Sequence, residues 1–246
     1  MNALEAAAAR SAWARRNVGE KILLLGGLLI LAVALPPIPF APVIAVIAWF
    51  IAAYIARVPR KLYVAMVLAP AVFVLVGAFP ILVALTPDGL AWSPDGPQRM
   101  AQVVMRSFAG ISCTMVFALT TPISELIAWL DKRGMPRYLT YLAEVIYRMT
   151  GVLIHSAHSM TEAQARRLGH STRRAMIRDV AAQSASLFVI AFARARKMQE
   201  GIELRADPSA MKVLVISRPS QPKFLAISSA LLLSLIAAWA LLKWGV

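Results

Sequence analysis

Residues 62–86 run from Leu62 to Thr86 without one charged side chain. About 20 predominantly apolar residues suffice for a helix to cross a hydrocarbon core of roughly 30 Å, so this stretch predicts a membrane span. Three further runs, 21–36, 42–57 and 224–243, qualify or nearly qualify. A fifth, 103–122, carries Arg106, Ser107, Ser112 and Thr114 among apolar residues, with Arg106 near one end where it can snorkel or pair. Overall, 59% of the 246 residues are hydrophobic and the mean hydropathy is +0.67. A soluble domain of this length could not hide so much apolar surface, and lipid must solvate the excess.

Positive charge predicts the orientation of the spans. Arg10, Arg15, Arg16 and Lys21 precede the first, while Arg57, Arg60 and Lys61 separate the second from the third. Both clusters belong on the cytoplasmic side. The Pro36-Pro37-Ile38-Pro39 turn is uncharged and the loop from Thr86 to Gln98 carries only Asp88 and Asp95, so both face outward. The arginines before the first run resemble a signal-peptide n-region, but no small-residue cleavage motif follows. An uncleaved first membrane helix with a cytoplasmic N-terminus is expected.

The net charge is +14, from 26 basic and 12 acidic residues. Residues 123–223 hold 16 basic and 8 acidic side chains, without the interleaved aromatics on which single-stranded nucleic acid would stack. Membrane lipid headgroups or an acidic protein are the better counter-charge, and nucleic acid is not expected as a partner. Cys113 is the one cysteine, so there is no disulfide framework and no Cys-rich metal site. The sequence has no Gly-x-x-x-x-Gly-Lys-Ser/Thr loop to cradle phosphates. His155-x-x-His158 and His170 are the obvious transition-metal candidates. Two imidazoles on one helix face with only Glu162 nearby fit interface polar residues better than a metal site. The scattered methionines suit adaptable packing better than a metal relay.

Within 123–217, apolar and charged residues alternate at helical spacing, and Pro136, Gly169 and Pro208 divide the block into roughly three helices, 123–133, 138–168 and 176–204. The second begins with Tyr141, Leu142, Val145, Ile146 and Met149 and ends charged at Arg166 and Arg167. The third begins with Val180, Leu187, Phe188 and Phe192 and ends with Glu200, Glu203 and Arg205. Such helices predict a layer against the cytoplasmic membrane face. The expected fold is all-α and polytopic, with about five transmembrane helices and long cytoplasmic amphipathic coupling helices. Its divisions are transmembrane helices in 1–122, a coupling-helix region in 123–222 and a last membrane helix in 223–246.

Several short segments together resemble the T-component family of energy-coupling-factor (ECF) importers, in its CbiQ cobalt branch. They are Ser11-Ala12-Trp13-Ala14 with Lys21 and Leu35-Pro36-Pro37, Arg106-Ser107, Gly134-Met135-Pro136-Arg137 and Tyr147-Arg148. The family's hallmark is a pair of Ala-Arg-Gly motifs near the ends of two coupling helices. Ala165-Arg166-Arg167-Leu168 resembles the first, with Arg166 and Arg167 competing for the motif position. Leu204-Arg205-Ala206 resembles the second, 38 residues after Arg167; Leu168 and Ala206 stand where the family has glycines.

The resemblance implies a non-catalytic coupling subunit of an ABC-type importer in a bacterial inner membrane. Its implied partners are two CbiO-like ATPase subunits, a CbiM-like membrane subunit that captures substrate, and a small accessory membrane subunit. ATP and Mg would bind the ATPases and the cobalt ion the capturing subunit, with no cofactor in this chain. Arg166, Arg167, Leu204, Arg205 and Ala206 would dock on the ATPases. Nickel and biotin importers remain alternatives within the family. A stand-alone cation channel or secondary transporter is the alternative from another class; it should bury ionisable groups at mid-membrane depth and show repeated halves.

Overall fold

The computed structural model describes residues 3–14, 16–86, 89–167, 172–205 and 220–244. Its architecture is helical apart from one short hairpin, and the chain divides into two compact units, Met1–Glu125 with Ile216–Val246, and Leu126–Val215.

The first unit opens with α1 (Ala3–Arg10). A single continuous helical path follows, made of α2 (Val18–Lys21), a π turn over Ile22–Gly26 and α3 (Gly27–Ala34). Leu35 leaves helical geometry ahead of Pro36, which disfavours α conformation in the residue before it. The expected first span is therefore a short helix, in pieces of 4, 5 and 8 residues, with a π turn inside it. Next come α4 (Pro37–Phe50), which runs into a second π turn at Ile51–Ile55, and α5 (Arg60–Ala78). The third expected span stops being helical before Thr86. A 3-10 turn over Phe79–Leu82 closes the helix, and the chain then forms a hairpin of β1 (Val83–Thr86) and β2 (Gly89–Trp92), with Val83 opposite Trp92. The unit is completed by α6 (Gly96–Thr120) and α10 (Pro222–Trp244).

α6 is the axis on which α3, α4 and α5 pack. Its buried positions Ala109, Cys113, Val116 and Thr120 are spaced by four, three and four residues, one face of a helix. On α4 the buried face is Ala41, Ile44, Ala45 and Ala48, and small residues there let helix backbones approach where lipid supplies no hydrophobic drive. Phe73 and Val76 of α5 and Ile227, Leu233 and Leu241 of α10 point outward, the surface that hydrocarbon solvates.

Among the described residues, five helices are long and apolar enough to cross a membrane: Pro37–Ile55, Arg60–Leu82, Gly96–Thr120, Arg173–Leu204 and Pro222–Trp244. The protein is a multi-pass membrane protein. The fourth of these belongs to the second unit and qualifies through the apolar stretch 180–193 ahead of Arg194. The first expected span falls short on length alone.

The second unit follows the boundary inside α7 (Ile123–Lys132) and consists mainly of α8 (Arg137–Arg166) and α9 (Arg173–Arg205). Gly134 sits at φ +90°, and Met135 N–H donates to Leu130 O at 3.3 Å, a closed helix ending that a side-chain-bearing residue would strain. Thr140 Oγ1 then donates to Asp131 Oδ1 at 2.9 Å, tying the first turn of α8 back to α7.

Candidate functional site

The two long helices form an antiparallel hairpin. Gln183 Nε2 of α9 donates to Ala157 O (2.9 Å) and Thr161 Oγ1 (3.0 Å) of α8, and Gln164 Nε2 donates to Asp179 O at 3.3 Å. These bonds gather at the end where α8 finishes and α9 starts. Towards the other end the helices part around a cleft of about 490 Å³, with Tyr141, Val145 and Met149 on one wall and Arg194, Met198 and Ile202 on the other.

This direction decides where the sequence-derived docking residues lie. Arg166 is the last residue of α8 and Arg167 its cap, and both side chains are exposed. Leu204, 86% exposed, and Arg205 end α9. Ala206 lies outside the described residues. The structure does not bring the two arginine segments together. At 1.5 Å of rise per residue, the stretch of α9 from its Asp179 tie to Arg205 separates them by about 40 Å.

The same geometry keeps the apolar starts of the two helices apart. The apolar half of α8 faces the Arg-bearing half of α9. Ile177, Val180, Phe188, Val189 and Phe192 of α9 remain exposed, Phe188 at 71%. Phe188 and Phe192 stack on each other, ring centroids 6.3 Å apart. Helical periodicity locates both helices in the sequence, but nothing in it says which halves meet.

Charge on α8 is partly used internally: Arg148 pairs with Glu144 at 3.1 Å. His155 and His158 are both exposed on α8, and His170 lies outside the described residues. Among the described residues no group of three or more His, Cys, Asp or Glu side chains is placed to hold a metal ion.

The remaining motif residues have structural partners in the first unit. Ser11 Oγ donates to Ala56 O at 3.0 Å and accepts from Trp13 N–H at 3.2 Å, which ties the N-terminal loop to the end of the second π turn. Trp13 packs edge-on to Phe224 of α10, centroids 5.7 Å apart. Arg106 donates to Leu35 O at 3.2 Å and so holds the end of α3. Two charged side chains that sequence reading did not single out for a site, Glu20 and the fully buried Lys21, lie in the same unit.

A family model described as cobalt transport protein, CbiQ, matches residues 10–206, which takes in the Ser11 loop and both arginine segments. The cobalt transport protein CbiQ of Rhodobacter capsulatus is 35% identical over 239 residues, 97% of this chain and 98% of that protein. The cobalt transport protein CbiQ of Salmonella typhimurium is 23% identical over 218 residues, covering 83% and 96%. A putative fused cobalt transport protein, CbiMQ, of Methanocorpusculum labreanum is 30% identical over 167 residues, 62% of this chain and 28% of that longer protein. On the strength of these matches over a multi-span helical chain, the protein belongs to the CbiQ family of cobalt transport proteins and is a membrane component of cobalt transport.

Proposed function

We propose that this chain is the coupling subunit of an ATP-driven ECF importer for cobalt, passing motion from two ATPase subunits to a separate membrane subunit that captures the ion. The observation that carries the reading is the antiparallel hairpin with an arginine segment at each far end. Two segments about 40 Å apart cannot grip one small groove, but they suit one ATPase subunit each. In each case a guanidinium would form a planar, bidentate pair with a carboxylate in the ATPase groove. Losing one partner of such a desolvated pair costs about 2–5 kcal/mol.

The capturing subunit is the natural cover for the exposed apolar half of α9, because a patch of large apolar side chains marks a protein or membrane contact. The fused CbiMQ relative supports a CbiM-like polypeptide as that partner. In this reading the cobalt ion is cargo held by the partner, ATP and Mg stay on the CbiO-like subunits, and a small accessory membrane subunit completes the complex. The chain sits in a bacterial plasma membrane with its N-terminus and hairpin cytoplasmic.

The test is co-expression with candidate ATPase and capturing subunits, comparing wild type with the double variant Arg167→Glu, Arg205→Glu. Co-purification of the ATPases and ATP-dependent cobalt uptake should be lost while membrane insertion persists. Wild-type uptake in the double variant would sink the docking role. Cobalt flux through the chain alone, without ATP, would point instead to a stand-alone channel.

A further inference from the structure

α2 places two oppositely charged residues next to each other in sequence and buries both, Glu20 at 2% exposure and Lys21 at 0%. A buried ion is costly unless it is well hydrogen-bonded, so each position demands a partner. Lys21 Nζ donates to Thr120 O at 2.8 Å. Thr120 is the last residue of α6, and its carbonyl is among those that lack an intrahelical donor, at the negative end of the helix dipole. Glu20 Oε1 accepts from the backbone N–H of Gln221. Gln221 immediately precedes α10, and its carbonyl accepts from the N–H groups of Phe224 (3.0 Å) and Leu225 (3.2 Å), so Glu20 sits at the positive end of that helix. Each charge thus matches the sign of the helix end it holds.

Each of these helix ends lies five residues in sequence from a boundary between the units. The chain leaves the first unit just after α6, at Glu125, and re-enters it at Ile216, just before α10. Arg16 reinforces the second crossing. Its guanidinium lies 3.9 Å from Glu20 Oε2 and 4.3 Å from the centre of the Phe224 ring on α10. One short helical turn therefore holds both helix ends from which the chain runs on in sequence towards the second unit.

We propose that Glu20 and Lys21 are positioning residues for energy coupling: a two-sided clamp that keeps the ends of α6 and α10 fixed to α2. With the clamp in place, the ends of α6 and α10 respond together with α2 when the α8–α9 hairpin is displaced. The proposal rests on the coupling role argued above, and neither residue touches substrate.

The experiment uses the complete transporter in liposomes with wild type, Glu20→Ala, Glu20→Gln and Lys21→Met. ATP hydrolysis and cobalt uptake are measured on the same preparation, and amide hydrogen exchange is followed at Gln221 and through Thr121–Glu125. In Glu20→Ala and Lys21→Met, cobalt moved per ATP should fall about tenfold, the consequence of losing one charge-assisted hydrogen bond. ATP hydrolysis and co-purification of the subunits should persist. Glu20→Gln keeps an acceptor oxygen and should restore most of the ratio. In Glu20→Ala the Gln221 amide should exchange about tenfold faster. An unchanged cobalt-to-ATP ratio with faster exchange overturns the coupling role. A Gln221 amide that exchanges as an unprotected loop amide in the wild-type protein overturns the clamp itself and needs no variant. Cobalt uptake by wild type that ignores the ATPase subunits marks failure of the coupling reading, with the exchange result still deciding the clamp.

Discussion

Replacing Gln183 by Leu should open the closed end of the α8–α9 hairpin. Gln183 donates two hydrogen bonds from one amide nitrogen across the helix pair, to Ala157 O and Thr161 Oγ1 at 2.9 and 3.0 Å. Leucine keeps most of the volume and removes both. In water each bond contributes about 0.5–1.5 kcal/mol, so the pair contributes about 1–3 kcal/mol. Among helices surrounded by lipid the average is nearer 0.6 kcal/mol per bond, about 1.2 kcal/mol in all. The figure of about 1.2 kcal/mol shifts the closed-to-open ratio by roughly sevenfold at 1.4 kcal/mol per decade. Spin labels at the exposed positions Ala163 and Arg178, one on each helix of this end, report the change as a broadened and lengthened distance distribution. Cys113 is the chain's one native cysteine and is buried, so a Cys113→Ala background leaves only the introduced thiols. A distribution in Gln183→Leu that superimposes on wild type would show that these bonds do not hold the hairpin closed and that Gln164 with Asp179 suffices.

Two further outcomes follow from named geometry. Gly134→Ala should lower the stability of the detergent-solubilised protein by about 1–2 kcal/mol, because φ at that position is +90°, and Gly134→Asn should cost less; thermal melts of the three proteins read the order. The pair Phe188→Ser, Phe192→Ser should leave stability within about 0.5 kcal/mol, since both rings are exposed, yet reduce retention of the capturing membrane subunit and cobalt uptake in the assembled transporter.

The membrane helices were legible in the sequence because lipid imposes one requirement that composition alone can meet, a long run of apolar residues. Residues 42–57, 103–122 and 224–243 correspond to helices the structure contains, and the helix break at Pro136 falls between α7 and α8, while Gly169 and Pro208 lie outside the described residues. The interruptions inside runs were less legible. Ile22–Gly26 and Ile51–Ile55 are apolar and helix-compatible by residue type, and nothing in their composition distinguishes a π turn from an α turn. Thr86 read as the end of a span, whereas the helix closes in a 3-10 turn at Phe79–Leu82 and Val83–Thr86 pairs as a strand.

The harder limit concerns charge and direction. Lys21 reads in sequence as one more cation ahead of a span, a member of a cluster that sets orientation. In the fold its ammonium group is wholly enclosed and bonded to a carbonyl 99 residues away. A positive-inside count cannot separate a solvated lysine from one that holds a distant helix end, because the distinction depends on a partner that only the tertiary structure supplies. The two arginine segments pose the complementary problem. They read as equivalents, each closing a helix that begins apolar and each expected to dock by itself, with their relative placement left open. Antiparallel packing supplies it: two helices that run from apolar to basic, laid head to tail, put their basic ends apart and leave an apolar half facing outward. The likeness between α8 and α9 is therefore what puts the two arginine segments at opposite ends of the hairpin, and the interhelical bonds of Gln164 and Gln183 are what turn that likeness into a direction.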